Sequence, residues 1–450
     1  MGKKEYMEIL LSQIRNDKAK ELVGQEIEAH IDDQAEVYME FGVDADTAEK
    51  KAVRSMGDPV ETGVSLDRIH KPKMSWSMII LVAILSVLGL TIQGVSWVQA
   101  GEMFFFERQV AYVIIGFVCM LVICMIDYSR IVQHGKLLAV IYLGISVLFC
   151  VNSHYYNGAL FISLGAFSIS WHFVLYLSLP LFGILLYHFR KQSKRSLLIP
   201  VGFMVLVILI FWQRKYSTVV LANLIFMAGF VLTYAIAKGW YPVKVKRFIG
   251  ILWSCLIGIP LVSGGLILSR LLNVRTYVSE RLLYFFTGNE QHALYGSWRP
   301  IQEILTEVSW LGGVSQMNTH MTDVNGVLSD YVLLHVAASY GVLLLIVIIV
   351  LLAFFCCQMF HMSIKQKNQA GTMIGISCGL IFTVQIAEYV LMNLGLIPGT
   401  TVFLPLFSYG GSGTVISFIL IGLLLSIYRY QNLVTERKAK KRIVVKLIDV

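Results

Sequence analysis

Long apolar stretches alternate with short polar connections over most of the 450-residue chain. A helix needs ~20 apolar residues to cross a bilayer core about 30 Å thick. Ten stretches approach or exceed this length, near residues 76–98, 109–127, 136–152, 171–189, 196–212, 217–238, 248–269, 329–357, 371–396 and 404–428. The pattern predicts an all-α polytopic membrane protein with about ten transmembrane helices and a membrane domain over 74–430.

The first 73 residues follow a different pattern, with single apolar residues between polar ones. Their apolar positions recur at near-helical spacing and predict one buried stripe: Val23, Ile27, Ile31, Tyr38 and Phe41. Asp46 with Glu49 three residues later resembles a capping box, and Gly57-Asp58-Pro59 predicts a helix stop. We therefore expect a small helical module, which is marginal alone and depends on a partner or the membrane surface.

Charge separates the same two regions. Residues 1–73 carry 11 basic and 16 acidic residues, whereas the remainder carries 26 basic and 12 acidic residues. The basic residues cluster in alternate connections and in the tail 431–450, which by the positive-inside rule predicts that both termini are cytoplasmic. Arg214 and Lys215 are the exception, in a connection predicted to be outside. The net charge of +9 is thus a topology signal, and we expect no nucleic-acid partner.

A long connection over 271–327 is predicted to be extracellular. Loops this long inside a compact bundle are usually functional or disordered, and the run PIQEILTEVSWL indicates a partial helix on the membrane surface. The seven cysteines lie within or at the ends of apolar stretches without metal-ligand spacing. They are interpreted as small apolar residues, and no metal site is predicted from them.

Two acidic residues, Asp330 and Glu388, lie within apolar stretches, and an ionisable group there indicates a functional site. For Asp330 the alternative is that it or Ser329 caps a helix. For Glu388 the alternative is a hydrogen bond to a neighbouring helix. His335, one turn beyond Asp330, is either a proton partner or an ordinary polar neighbour.

The stretch LIPGTTVFLPLFSYGGSG interrupts the last apolar run with two prolines and several glycines. Irregular backbone at membrane depth is tolerated only where it is packed in protein or lines a cavity. The prolines favour a broken helix beside a cavity, and a packing seam of small residues is the alternative.

This stretch resembles the signature of the shape, elongation, division and sporulation (SEDS) family, the FtsW/RodA/SpoVE proteins. The matching residues are Pro398-Gly399-Thr400-Thr401 and Leu404-Pro405-Leu406-Phe407-Ser408-Tyr409-Gly410-Gly411-Ser412. Asn157-Gly158-Ala159 with Ile162-Ser163-Leu164-Gly165 resembles a second family motif, and Ser329-Asp330-Tyr331-Val332 resembles a third. The N-terminal module resembles the acidic helical domain called HAAS, found on bacterial membrane-associated signalling proteins.

The SEDS resemblance implies a peptidoglycan glycosyltransferase that polymerises the lipid-linked precursor lipid II in the bacterial plasma membrane. It implies that Asp330 is the catalytic base, and that a class B penicillin-binding protein is the partner. Cations or a divalent metal would stabilise the departing pyrophosphate. We expect substrate-binding roles for Arg281, Arg299, Gln302, Asn157, Ser163, Ser408, Tyr409, Gly410, Gly411 and Ser412. Auxiliary roles are expected for Ser329, His335, Lys215 and Glu388, and the module would bind a cytoplasmic partner.

The chain departs from the family pattern at charged positions. Leu160-Phe161 stands where the family has two arginines, Trp171–Tyr176 replaces a segment with Glu and Lys, and Arg214-Lys215 replaces Pro-Asp. Two further readings are therefore open: a non-catalytic scaffold or regulator of a cell-wall synthase, and a flippase or transporter. The sequence has no convincing internal repeat, which argues against a transporter built from two halves.

Overall fold

The computed structural model describes residues 1–99, 101–156, 159–164, 167–213, 218–271, 298–312, 329–398 and 402–432. Within these ranges the chain forms two compact units. One unit contains Met1–Met74 together with the described residues 428–432, and we call it the module. The other contains Ser75–Ile427, and we call it the membrane unit.

The module is built from four helices: α1 (Lys3–Ser12), α2 (Asp17–Glu40), α3 (Ala45–Ser55) and α4 (Pro59–His70). Side chains from the first three helices meet in one core, and its fully buried members include Tyr6, Leu10, Val23, Ile31 and Ala52. The predicted apolar stripe of α2 thus lies in this core, with one exception. Phe41 lies just beyond the end of α2 and is 82% exposed, so its expected burial is wrong.

Three helices of the module are capped by their own sequence. The side chain of Asn16 accepts hydrogen bonds from Lys18 and Ala19 at the start of α2. Asp44 and Asp58 do the same at the starts of α3 and α4. The predicted capping box at Asp46 is wrong by two residues, because the chain already becomes helical at Ala45 and Asp44 takes the cap.

The chain that follows the last helix of the membrane unit joins the module. The backbone N–H of Lys73 donates to the carbonyl of Arg429, at 3.2 Å. The amide of Asn432 donates to the carbonyl of Ile69, at 3.1 Å. Tyr430 packs, partly buried, against the core of the module. The two chain segments that leave the module therefore lie beside each other.

The membrane unit is almost entirely helical: α5 (Trp76–Gln99), α6 (Met103–Met125), α7 (Tyr128–Gln133), α8 (Gly135–Asn152), α9 (Trp171–Tyr176), α10 (Ser178–His188), α11 (Leu198–Gln213), α12 (Thr218–Ala237), α13 (Val245–Leu271), α14 (Trp298–Glu307), α15 (Val332–Tyr340), α16 (Val342–Ile364), α17 (Gln369–Asn393) and α18 (Gly411–Arg429). A short 3₁₀ turn, Lys194–Leu197, precedes α11. Among the described residues, nine spans are long and apolar enough to cross a membrane. The 27-residue α13 covers the remaining predicted stretch. The predicted all-α polytopic fold is confirmed.

A small antiparallel sheet lies between α8 and α9. Its strands are β1 (His154–Tyr156), β2 (Ala159–Leu164) and β3 (Phe167–Ser170), in the order β1-β2-β3. Phe161 of β2 is opposite His154 on one side and Ser170 on the other. This sheet was not predicted from the sequence.

The predicted span 329–357 is wrong as a single helix. The chain forms the short α15, breaks at Gly341 and continues as α16 to Ile364. Gly341 has a φ of 96°, and a Cβ there would lie 2.8 Å from the carbonyl oxygen of Trp310. The backbone N–H groups of Val342 and Leu343 donate to the carbonyls of Ser309 and Trp310. The segment after α14 is thus bound at the break, where only glycine fits.

The last spanning helix starts at Gly411, seven residues later than the pattern predicted. Residues 402–408 are non-helical and buried, so the irregular backbone here is packed in protein. Small residues allow this packing: a Cβ at Gly413 would lie 2.7 Å from the rings of Phe173 and Phe403. A Cβ at Gly89 in α5 would collide with the carbonyl oxygen of Leu406. The predicted break in the helix and the alternative small-residue packing are therefore both present, whereas a cavity beside the break stays a prediction.

Candidate functional site

Asp330 lies in a turn immediately before α15, outside the nine helices that are long enough to span. The residue is half-buried. The helix begins at Val332, and its N-cap residue Tyr331 makes no side-chain cap hydrogen bond. The interpretation that Ser329 or Asp330 caps the helix is therefore wrong, and the Asp330 carboxylate is not consumed by helix capping.

The surroundings of Asp330 change its acidity. Burial raises the pKa of Asp330 to about 7, because the charged carboxylate loses hydration, and a hydrogen bond with the Ser329 side chain offsets part of this effect. A carboxylate that titrates near neutral pH is a better proton acceptor than one with an ordinary pKa. The turn therefore presents a group suited to general base catalysis.

Two side chains from the end of α17 hold the backbone of this turn. The Tyr389 hydroxyl accepts from the N–H of Val332 at 2.8 Å and donates to the carbonyl of Ser329 at 3.1 Å. The Asn393 amide accepts from the N–H of Leu334 at 3.0 Å and donates to the carbonyl of Asp330 at 3.1 Å. Neither residue was predicted as part of the site.

Ser408 of the signature stretch joins the same network from the other side. It is fully buried. Its hydroxyl accepts from the N–H of Leu404 at 2.9 Å, donates to the carbonyl of Ser329 at 2.5 Å, and lies 3.4 Å from the Tyr389 hydroxyl. The structure therefore brings together two predicted site elements, the Asp330 turn and the signature stretch, through one serine.

Two buried glutamines from the first two spans support the signature stretch, and the sequence analysis did not identify them. The Gln109 side-chain carbonyl accepts from the N–H of Gly410 at 3.1 Å, and its amide donates to the carbonyl of Ser408 at 3.4 Å. Gln93 donates to the carbonyl of Phe407. Each is 1% exposed. A glutamine inside an apolar stretch is the signal that could have indicated them.

The rest of the signature stretch packs against aromatic rings and the small sheet. Tyr409 lies edge-on to Trp97 and Phe105, with ring centroids 5.9 and 5.8 Å away. A Cβ at Gly411 would lie within 2.8 Å of the Tyr112 ring. The hydroxyl of Ser412 accepts from the N–H of Ser170, at the end of β3, at 3.3 Å.

A cation that the sequence analysis did not single out lies close to this stretch. Arg108 of α6 is half-buried. Its guanidinium donates to the Tyr112 hydroxyl at 2.9 and 3.2 Å and lies 5.3 Å from the centre of the Phe104 ring. Its hydrogen bonds go to a hydroxyl, so its charge is not matched by a carboxylate of the described chain. It is available to a phosphate group.

His335 and Glu388, the auxiliary candidates, each have a polar partner. His335 Nε2 lies 2.6 Å from the Ser96 hydroxyl of α5. The Asn223 amide of α12 donates to the Glu388 carboxylate at 2.7 Å. Glu388 thus makes the hydrogen bond between neighbouring helices that was the alternative interpretation.

In the described structure, the other predicted site residues do not join the hydrogen bonds between the Asp330 turn and the signature stretch. The hydroxyl of Ser163 in β2 is exposed and lies 3.4 Å from His154 Nε2. Gln302 is on the exposed face of α14. Arg281, Asn157 and Lys215 lie outside the described residues, as does the side chain of Arg299. Among the described residues, His, Cys, Asp and Glu side chains form no group of three that could hold a metal.

Comparison with known proteins places these residues in one family. The family model FTSW_RODA_SPOVE, described as "Cell cycle protein", matches residues 72–433. The chain is 35% identical over 99 residues to a probable peptidoglycan glycosyltransferase FtsW of Enterococcus hirae. That segment is 22% of this chain, and it spans only a quarter of the relative's length.

Solved structures share the fold. A chain of a peptidoglycan synthase complex, studied for how it coordinates polymerization and crosslinking, matches with a TM-score of 0.63 at 18% identity. The match covers 80% of this chain and 99% of that one. The rod shape determining protein RodA of Thermus thermophilus matches with a TM-score of 0.56 at 17% identity, over 80% of this chain and 97% of RodA.

Proposed function

Because the chain belongs to the FtsW/RodA/SpoVE family of cell cycle proteins, we propose that it is a peptidoglycan glycosyltransferase. Its substrate is lipid II or a related glycan on a polyprenyl pyrophosphate, which it polymerises into glycan strands during bacterial cell-wall synthesis. The relative from Enterococcus hirae carries this activity in its name. Cell shape and division are the processes that fit the family.

One observation supports this function above the others. A half-buried carboxylate, Asp330, titrates near neutral pH in a turn that is hydrogen-bonded to the family's signature stretch at Ser408. A polymerase that joins two sugars needs a base at the point where a hydroxyl becomes a nucleophile. Asp330 is the described residue that best meets this need.

The chemical step uses Asp330 as the proton acceptor. The carboxylate takes the proton of the acceptor sugar's 4-hydroxyl as that oxygen attacks the anomeric carbon of the donor sugar. The new C–O bond forms while the bond between that carbon and the pyrophosphate oxygen breaks. The polyprenyl pyrophosphate leaves with the electron pair, and its developing negative charge requires positive groups nearby.

Arg108 is a candidate for stabilising the pyrophosphate, alongside the originally predicted Arg281 and Arg299. Its guanidinium is half-buried beside Tyr112, whose ring packs against Gly411 of the signature stretch. A guanidinium offers several N–H donors in a plane that matches phosphate oxygens. A divalent cation bound with the substrate would supply the same charge.

The proposal includes the cellular setting. The protein works in the plasma membrane with both termini in the cytoplasm, so that Asp330 faces the outside, where strands are made. A class B penicillin-binding protein is its cross-linking partner, and the structural match to a peptidoglycan synthase complex supports this. The module binds a further cytoplasmic partner.

The flippase or transporter reading is motivated by Glu388 and by the broken last span. The hydrogen bond from Asn223 to Glu388 between two helices favours a structural role for that residue. The scaffold reading rests on the missing family charges. It predicts that a strain with Asp330→Asn behaves as wild type, whereas deletion of the whole gene produces a cell-wall defect.

The deciding experiment measures strand formation from labelled lipid II by the full-length protein in lipid, with a cross-linking partner present. The wild type is expected to form strands, and Asp330→Asn is expected to lose at least ~100-fold, a typical share for a general base. Glu102→Gln is the matched control, because Glu102 is an exposed acid whose side chain makes no cap hydrogen bond at the start of α6.

Two outcomes would contradict the proposal. No strands from the wild type under these conditions would remove the polymerase function. Equal activity of wild type and Asp330→Asn would remove Asp330 as the base and direct attention to His335 in the following helix, α15.

A further inference from the structure

The start of α15 lacks the local cap that a helix usually has. The first N–H groups of any helix have no partner inside the helix and need one from elsewhere. Asp330 and Ser329 are both residue types that can cap, yet Tyr331 holds the N-cap position, and its side chain makes no cap hydrogen bond. The N–H groups of Val332 and Leu334 are satisfied by Tyr389 and Asn393 instead.

These two partners are arranged as one unit. Tyr389 and Asn393 are four residues apart on α17, so they project from the same face of the helix. They are 0% and 2% exposed. Tyr389 also donates to the carbonyl of Ser329, and Asn393 donates to the carbonyl of Asp330. Together they make four hydrogen bonds to the backbone of residues 329–334.

This arrangement affects the chemistry of the carboxylate. If Asp330 capped its own helix, backbone N–H groups would bind the charged form and lower its pKa, which would make it a weaker base. Because residues of α17 cap α15, the Asp330 carboxylate does not have to bind these N–H groups. The backbone of Asp330 is still held in position. Apolar side chains in place of Tyr389 and Asn393 could pack the two helices together equally well. They could neither cap the N–H groups of α15 nor hold the backbone of Asp330.

We propose that Tyr389 and Asn393 are positioning residues for Asp330. We call the pair the turn clamp: it caps α15 from a distance and orients the general base without consuming it. The inference rests on the proposed function for its catalytic part, whereas the contacts themselves do not depend on that function.

The test compares Tyr389→Phe with a matched control, Tyr176→Phe. Both changes remove one buried hydroxyl. Tyr176 is 1% exposed, and its hydroxyl has no hydrogen-bond partner among the described residues. Hydrogen exchange in the full-length protein is expected to show faster exchange of the Val332 and Leu334 amides in Tyr389→Phe and no change in Tyr176→Phe.

Kinetics with lipid II then test the catalytic role. Tyr389→Phe is expected to lower kcat roughly tenfold, the effect of leaving buried groups without a partner, with little change in KM. Without this hydroxyl the turn is held less tightly and water reaches the Asp330 carboxylate, which lowers its pKa. The acidic limb of the pH profile should therefore shift to lower pH. Asn393→Asp keeps an acceptor for the Leu334 N–H and should lose less activity than Asn393→Leu.

The outcomes separate the clamp from the proposed function. Unchanged exchange at Val332 and Leu334 in Tyr389→Phe would overturn the clamp, whatever the activity. Faster exchange with unaltered kcat and pH profile would overturn its positioning role. An inactive wild type would overturn the polymerase function, and exchange would still decide whether the clamp holds the turn.

Discussion

The helices of the module and the short helix α15 after Asp330 satisfy their first backbone N–H groups in opposite ways. In the module, Asn16, Asp44 and Asp58 cap the helices that directly follow them. In the membrane unit, α15 is capped by residues that lie almost 60 positions later in the chain. The module uses local hydrogen bonds to start helices, whereas the candidate site uses distant ones.

The difference follows from what the polar side chains must do. In the module the capping aspartates have no proposed part in catalysis, and their binding to N–H groups stabilises the helices that follow. Beside α15 the aspartate of the described chain is the proposed base, Asp330, and capping would lower its pKa. A helix start that depends on tertiary partners is also more sensitive to changes elsewhere, which the following predictions use.

Among the changes outside the proposed base itself, the largest effect is expected from Ser408→Ala. It removes the hydroxyl that joins the signature stretch to the carbonyl of Ser329 and leaves the Leu404 N–H without this acceptor. The cost of such unpaired buried groups is about 1–3 kcal/mol, so we expect up to ~100-fold less strand formation. Ser412→Ala is the control in the same stretch, because it loses a single 3.3 Å hydrogen bond. Equal losses in both variants would contradict the central place of Ser408.

Next in size is Gly341→Ala, which tests the break between α15 and α16. With φ at 96° and a carbonyl 2.8 Å from the added Cβ, alanine is strained here. The cost is on the order of 2 kcal/mol, expected as a lower denaturation temperature together with lower activity. Gly202→Ala in α11 has open space around its Cβ and should be neutral. A thermally unchanged Gly341→Ala protein would contradict the break.

The pH dependence is expected to be about tenfold. Asp330 acts as a base only without its proton, and burial raises its pKa to about 7, so kcat/KM should rise about tenfold from pH 6 to pH 8. The sign is opposite for stability: folding strengthens proton binding, so this stabilisation is lost as the pH rises through 7. An acidic limb centred near pH 4 would show that the carboxylate is fully hydrated in the working enzyme.

The smallest effect is expected from Asp44→Ala in the module. Loss of this local cap should destabilise the first turn of α3, seen as faster hydrogen exchange at the start of that helix. Strand formation should be unchanged. Asp33→Ala, an exposed position in the interior of α2, is the control for charge alone. A loss of activity in Asp44→Ala would mean that helix capping in the module also affects catalysis.

The difference between local capping in the module and distant capping of α15 also explains which features could be predicted from the sequence. The apolar stretches predicted the spanning helices because lipid thickness imposes their length. The stop at Gly57-Asp58-Pro59 was predictable because its signals are adjacent. The cap at Asp44 was misplaced by two residues because Asp44 and Asp46 both match a local cap pattern.

The parts that could not be predicted depend on distant contacts. A single glycine, Gly341, does not indicate a break in an apolar run until the carbonyl of Trp310 is placed beside it. Tyr389 and Asn393 appear in the sequence only as polar residues four apart in an apolar span. The strands between α8 and α9 had a local signal, Asn157-Gly158, that favours a hairpin but was read only as part of a motif.

The backbone hydrogen bond between Lys73 and Arg429 joins two segments that are far apart in sequence. The chain enters the first spanning helix just after Lys73 and leaves the last one at Arg429. The last spanning helix begins at Gly411, three residues after Ser408. Deleting residues 1–73 would therefore expose Tyr430, which packs against the core of the module, and would remove the N–H group that donates to the carbonyl of Arg429.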